Sequence, residues 1–228
     1  MTNTPDSVLP AIELETGISP THTILWMHGL GADGSDFVPI VDELALPLNP
    51  PIRFVFPHAP MRPVSINGGS VMRAWHDYDL ATSTSSFREN MAGLRESQRA
   101  IDALIDREKR RGIEPENIVL AGFSQGGALA LQTGLRYPEK LAGIMALSCY
   151  LPASQTLAAE AHQVNSNTSI FIAHGSIDNV IPMTQALASK RQLLEAGYMV
   201  EWHEYPMAHA VCKEEIADIA EWLKRVLI

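Results

Sequence analysis

Short apolar runs alternate along the chain with longer stretches in which apolar residues return every three or four positions. The runs, rich in Val, Ile, Leu and Phe, predict seven strands over 8–14, 21–27, 52–56, 118–122, 143–147, 170–173 and 200–205. The longer stretches predict helices over 90–111, 124–137, 183–196 and from 213 to the end. In the last helix Ile216, Ile219, Ala220, Leu223 and Val226 recur at helical spacing. Glu214 and Glu215 open it and Lys224 and Arg225 lie near its end, as the helix dipole favours. The Tyr137-Pro138 step ends the second helix, because the residue before proline avoids helical backbone. Alternating strands and helices predict an α/β fold, a mostly parallel sheet covered on both faces. Only a short Gly-Ile-Ser-Pro turn separates the first two strands, which are therefore expected to pair antiparallel at one edge. No repeat or linker divides the chain, so residues 1–228 are taken as one domain, with 1–7 as an unstructured lead-in.

Composition narrows the function. With 228 residues, 46% hydrophobic and 19% charged, the chain can bury a sizeable core. A net charge of −9 repels phosphate backbones and anionic lipid, which argues against nucleic acid and against a polybasic membrane anchor. The opening decapeptide MTNTPDSVLP has neither a basic segment nor an apolar run, and no apolar stretch is long enough to span a bilayer. Cys149 and Cys212 are the only cysteines, too few for a disulfide framework, and point to the reducing cytoplasm; packing is the default role of both.

The candidate chemistry centres on Gly122-Phe-Ser-Gln-Gly-Gly127, placed between a buried strand and an Ala/Leu-rich helix. Gly-x-Ser-x-Gly alone arises by chance in roughly one chain in fifteen of this size. In this context it predicts a nucleophile elbow, a strained turn that lifts the Ser124 hydroxyl clear of the sheet. Side chains two residues to either side would collide, hence Gly122 and Gly126, while Gly127 lets the helix start close to the sheet. The chain order Ser, acid, His then selects partners. Asp178 is the only aspartate between Ser124 and His209, and both follow strands by short loops. Ser124, Asp178 and His209 thus fall on the sheet edge where α/β proteins place chemistry. Of the other late histidines, His203 lies within a strand on one face with Glu201 and Tyr205, and His162 sits in a polar stretch. His174 ends a strand, where a structural hydrogen bond to the next loop is expected.

Residues 29–34 fit Gly-x-Gly-x-x-Gly after a strand, a dinucleotide signature. The next strand ends Phe56-Pro57-His58 without the acid that would hold a ribose, so the signature fails on context. A His-Gly-x-Gly oxyanion loop remains, with the backbone N–H groups of Leu30 and Gln125 as donors. Asp33 and Asp36 read as turn and helix-cap residues, with no metal site implied.

Taken together, HGLGADGSDF, PHAPMRPVSINGG, MRAWHDYD, GFSQGGALALQTGLRYPEKLAGIMALSCYLP, HGSIDNVIP and YPMAHAVCKEEIADIAEWL resemble the phospholipase/carboxylesterase family, which includes acyl-protein thioesterases and small bacterial carboxylesterases. The resemblance implies a compact α/β-hydrolase fold without a large lid domain, the triad Ser124, Asp178 and His209, and oxyanion donors at Leu30 and Gln125. It also implies an acyl groove near Trp75, and it allows a homodimer. Three departures from the family pattern stand out: Ala208 where glycine is common, Ala210 where a small polar residue is usual, and His76 where an aromatic follows the tryptophan. If position 208 requires positive φ, alanine there is strained.

The expected activity is serine carboxylesterase action on a small-molecule acyl ester, without metal or cofactor. A protein thioester or lysophospholipid is the nearest alternative, because it needs the same triad. Alternatives of other classes are a hydrolase-fold protein that binds small molecules without catalysis, and a redox role for the cysteines, Cys212 being close in sequence to His209.

Overall fold

The computed structural model describes residues 8–80 and 87–228; the expectation for 1–7 lies outside the described residues. In chain order the elements are β1 (Ala11–Glu15), β2 (His22–Met27), α1 (Ile40–Leu44), β3 (Ile52–Pro57), β4 (Met61–Val64), β5 (Ser70–Arg73), β6 (Tyr78–Leu80) and β7 (Phe87–Glu89). There follow α2 (Met91–Arg110), β8 (Ile118–Phe123), α3 (Gln125–Gly134), β9 (Gly143–Leu147), α4 (Leu157–Glu160), β10 (Ser169–Gly175), α5 (Met183–Glu195), β11 (Val200–Tyr205) and α6 (Lys213–Leu227). Seven strands form one sheet in the order β1-β3-β2-β8-β9-β10-β11. Only the β1–β3 pair is antiparallel. β4 pairs with β5 and β6 with β7 in two small hairpins that add to the sheet's loops.

All seven expected strands are present, but one pairing differs. β1 is the antiparallel edge strand, yet its neighbour is β3, and β2 lies between β3 and β8. Burial explains the difference. Five of the six residues of β2 are buried, as suits a central parallel strand, whereas β1 is half-buried along most of its length. The connecting segment is held to the start of β3 instead: Thr16 N–H donates to Ile52 O (3.0 Å) and Thr21 N–H to Pro51 O (3.0 Å).

Alternation along the strands builds two cores. Leu25, Met27, Val55 and Leu120 face Leu94, Ile101 and Leu104 of α2 and Leu129 and Leu131 of α3. Ile24, Trp26, Phe54, Phe56 and Val119 face the other way, onto Ile40 and Leu44 of α1 and Ile219, Trp222 and Leu223 of α6. Each fully buried side chain of this size contributes about 1.5–3 kcal/mol, so the two layers hold the sheet rigid beneath its loops. α2 begins at Asn90, whose side chain accepts from Gly93 N–H (2.9 Å), and Arg107, Lys109 and Arg110 occupy its last turn. α3 ends at Gly134, earlier than the Tyr137-Pro138 step. Leu135 N–H still reaches Leu131 O (3.2 Å), after which Arg136 N–H turns to Thr133 O (3.1 Å).

Candidate active site

Ser124 stands alone between β8 and α3 with φ 55° and ψ −120°, a conformation that L-residues avoid at a cost of about 1–3 kcal/mol. Its surroundings hold it there: Ser124 N–H donates to Leu147 O (2.8 Å), and Ser124 O accepts from Ala128 N–H (3.0 Å). Close approach explains the flanking glycines. A Cβ on Gly122 would lie 2.3 Å from the Gly126 carbonyl, and one on Gly126 would lie 2.2 Å from Met27 O. The serine can therefore stand at the head of α3 only because the residues at 122 and 126 have no side chain.

His209 Nε2 lies 2.9 Å from Ser124 Oγ, and His209 Nδ1 lies 2.7 Å from Asp178 Oδ2. The Asp178 side chain is fully buried, and its other oxygen accepts from Val180 N–H (2.8 Å) and Ile181 N–H (2.9 Å). With Oδ1 taken by two N–H donors, Oδ2 serves as acceptor to Nδ1–H, so the Nε2 lone pair faces the serine hydroxyl. Two backbone bonds tie the Asp178 loop to the His209 loop, Ser176 N–H to Tyr205 O (2.8 Å) and Ile177 N–H to Met207 O (3.1 Å). The Phe123 ring packs on the imidazole at 4.7 Å between centroids. His174, as expected, bonds the loop: its Nε2 is 2.9 Å from Ile181 O and 3.6 Å from Asp178 Oδ2.

The departures around His209 carry no strain. Ala208 is not among the non-glycine residues at positive φ, and Ala210 N–H closes the turn onto Ala208 O (2.9 Å). His76 is fully buried, and neither of its ring nitrogens has a hydrogen-bond partner among the described residues. Burial, aided by Arg62, lowers its pKa to about 4 and keeps the ring neutral.

The loop that carries Leu30 is braced from behind. His28 is buried; its Nε2 accepts from Ala59 N–H (3.1 Å), so Nδ1–H donates to Gly29 O (2.7 Å). Burial lowers the His28 pKa to about 4, consistent with one fixed neutral tautomer. Gly31 N–H donates to Arg73 O (2.9 Å). Gln125, at the first position of α3, offers a backbone N–H from the unpaired first turn of that helix. Its side chain also accepts from Trp75 N–H (2.7 Å) and donates to His76 O (2.9 Å).

The expectation for Trp75 needs correction. Its ring is fully buried and does not line the cavity; its indole N–H donates to His28 O (2.8 Å). Trp75 supports the loop that carries Leu30 and leaves the groove to other residues, because a wide aromatic with one donor suits a packed site that offers a single carbonyl.

The cavity beside Ser124 encloses about 780 Å³. Gly29, Leu30, Ser124 and His209 line one corner of it, and Val180, Ile181 and Pro182, from the loop that carries Asp178, form part of its apolar wall. Tyr78, Glu89 and Tyr150 also line it and were not anticipated; β6, β7 and the segment after β9 bring them there. Asp36, expected as a cap, lines the cavity too, while Asp33 makes the expected turn, accepting from Ser35 N–H (2.8 Å). Among the described residues no cluster of three or more His, Cys, Asp or Glu side chains could hold a metal ion, and no helix is long and apolar enough to cross a membrane. Both cysteines are free, and burial raises both thiols, which opposes the thiolate that a redox role needs.

Known proteins share this architecture. A sequence model of the Phospholipase/Carboxylesterase family matches residues 12–227. The chain is 35% identical over 221 residues to acyl-protein thioesterase 1 of Yarrowia lipolytica, covering 94% of this chain and 96% of that one. It is 33% identical over 205 residues to carboxylesterase SOBER1 of Arabidopsis thaliana, covering 90% of each. The crystal structure of Arabidopsis thaliana SOBER1 superposes with a TM-score of 0.82 at 32% identity, over 91% of this chain and 99% of that one. That of Zea mays acyl-protein thioesterase 2 gives 0.82 at 26% identity, over 96% and 99%. With the α/β-hydrolase sheet, the elbow and a match along nearly the whole chain in agreement, this protein belongs to the phospholipase/carboxylesterase family.

Proposed function

We propose that this protein is a serine carboxylesterase acting as one α/β-hydrolase domain, with Ser124 as nucleophile. The observation that carries the reading is the unbroken contact chain from Ser124 Oγ through His209 to buried Asp178, at 2.9 and 2.7 Å. His209 Nε2 takes the hydroxyl proton as Ser124 Oγ attacks the acyl carbonyl carbon. Asp178 holds the tautomer and stabilises the imidazolium. The backbone N–H groups of Leu30 and Gln125 receive the developing oxyanion, and their fixed loops avoid reorganisation during the step. The C–O bond to the alcohol breaks, and His209 returns its proton to the leaving oxygen. Water, deprotonated by the same imidazole, then attacks the acyl-enzyme and releases the acid and Ser124.

An acyl thioester is the second reading, favoured by the relatives named acyl-protein thioesterase, and it requires no change at the triad. Rates on the oxygen and sulfur esters of one acid separate the two. Two unpaired cysteines suit a reducing compartment, in keeping with a cytoplasmic enzyme. The direct test is Ser124→Ala, monitored by hydrolysis of a short aryl ester and by fluorophosphonate labelling. The variant should fold, lose turnover by at least about a thousandfold and take up no label. Undiminished hydrolysis in the folded variant would overturn the reading.

A further inference from the structure

One wall of the reactive cavity is polar, and the chemistry above makes no use of it. Tyr78 and Glu89 are directly paired across the β6–β7 ladder, so their side chains share a face. Tyr150, nine-tenths buried, comes from the segment after β9 and interacts with both the Glu89 carboxylate and the Tyr78 hydroxyl. Tyr78 in turn interacts with the side chain of Gln125. Burial first, and the nearby Glu89 as well, raises both phenols, which stay protonated. Among the described residues that line the cavity there is no Lys or Arg, and Asp36 is a second carboxylate. A charged group that enters here meets negative charge at short range in a partly dry space, where the interaction outweighs its value in open water.

We propose that Glu89, with Tyr78 and Tyr150, forms a polar subsite that selects esters whose acyl group carries an ammonium or another hydrogen-bond donor and rejects those carrying carboxylate or phosphate. The proposal rests on the esterase reading and names a substrate class for it. Glu89 accepts from the incoming donor, Tyr150 holds the carboxylate in place, and Tyr78 in turn holds Tyr150. Acyl groups that end in an anion bring like charge against Glu89 and find no cation among the described residues that line the cavity.

Three ethyl esters of matched length test it: ethyl 6-aminohexanoate, ethyl heptanoate and monoethyl pimelate, which end in ammonium, methyl and carboxylate. The probe reaction is their hydrolysis in a pH-stat at neutral pH. The wild-type enzyme should favour the ammonium ester over the carboxylate ester in kcat/KM by at least about thirtyfold. Glu89→Gln should cut that ratio at least about tenfold, and Tyr150→Phe, which loosens the carboxylate, should cut it less. Each ratio is taken within one protein, so a loss of folded enzyme cancels. An unchanged ratio in Glu89→Gln, or a wild-type preference for the carboxylate ester, overturns the subsite while heptanoate hydrolysis upholds the esterase. If the wild-type protein cleaves none of the three, and no Ser124-dependent cleavage of a short aryl ester is found, the esterase reading falls and the subsite with it.

Discussion

Replacing Asp178 by asparagine tests the site at its most constrained atom. Asp178 Oδ1 accepts two backbone N–H groups, from Val180 (2.8 Å) and Ile181 (2.9 Å), while Oδ2 faces His209 Nδ1 at 2.7 Å. In Asp178→Asn the amide oxygen must take the first position, because an amide NH2 there would meet two donors and leave both unpaired inside the protein. That choice points the NH2 at His209 Nδ1, which must then accept. The imidazole is forced to carry its proton on Nε2, and that proton faces Ser124 Oγ across 2.9 Å where a lone pair is required. The reverse flip costs about 1–3 kcal/mol for each unsatisfied N–H, so the wrong tautomer dominates. Loss of the base and of the imidazolium's counter-charge should lower kcat about 10⁴-fold, equivalent to ~5 kcal/mol. Aryl ester hydrolysis gives the rate, fluorophosphonate labelling should slow in parallel, and ¹⁵N shifts of the ring nitrogens report the tautomer directly. The substitution is isosteric, so the melting temperature should move by only a few degrees. A rate loss below tenfold, with the amide in the place of the carboxylate, would show that Asp178 does not govern the base.

Two further predictions concern buried groups outside the triad. His28→Phe keeps the ring packed against Trp75, 5.2 Å away between centroids, but removes the bonds to Gly29 O and Ala59 N–H. The Leu30 loop should loosen and kcat should fall about 10–10³-fold with KM little changed; steady-state kinetics with unaltered kcat would remove His28 from the support of the proposed oxyanion site. Glu215 is fully buried in the first turn of α6, and burial raises its pKa from 4.5 to about 8, against the opposing effect of the Cys212 backbone N–H. Its folded-state pKa lies above its unfolded value, so its contribution is full below about 4.5 and is lost as pH rises through about 8. Glu215→Gln should therefore gain on the wild type in urea midpoint between pH 5 and pH 9, and a difference that does not vary with pH would contradict the linkage.

How much of this was legible in the sequence depends on whether a feature is written locally. The elbow is a local steric problem. A positive φ at Ser124 and a helix packed against β8 admit nothing larger than hydrogen at 122 and 126, and the glycines record that need directly. Asp178 and His209 were legible because each follows a strand of unmistakable apolar pattern, and the parallel topology carries both strand ends to one edge. The partner of β1 was not. A short turn suggested a hairpin with β2, while the decision rested on the burial of β2 from both sides, a property of the assembled sheet.

The cavity wall stands at the other extreme. β4 to β7 are three or four residues each, too short for a clear alternation, and their pairings fold a proline-rich and serine-rich segment back on itself. Tyr78 and Glu89 meet only through that ladder, and Tyr150 joins them from a different part of the chain. Trp75 shows the same limit from the other side, since an aromatic beside a proposed groove can as well be its foundation as its lining. Which it is turns on where one indole N–H finds an acceptor, here His28 O at 2.8 Å within the core. The machinery for ester cleavage is thus specified by strong local rules that many chains share. If the proposed subsite selects the ester, that choice rests instead on a long-range pairing, Tyr78 with Glu89, which lies outside the elbow and can change without disturbing Ser124, Asp178 or His209.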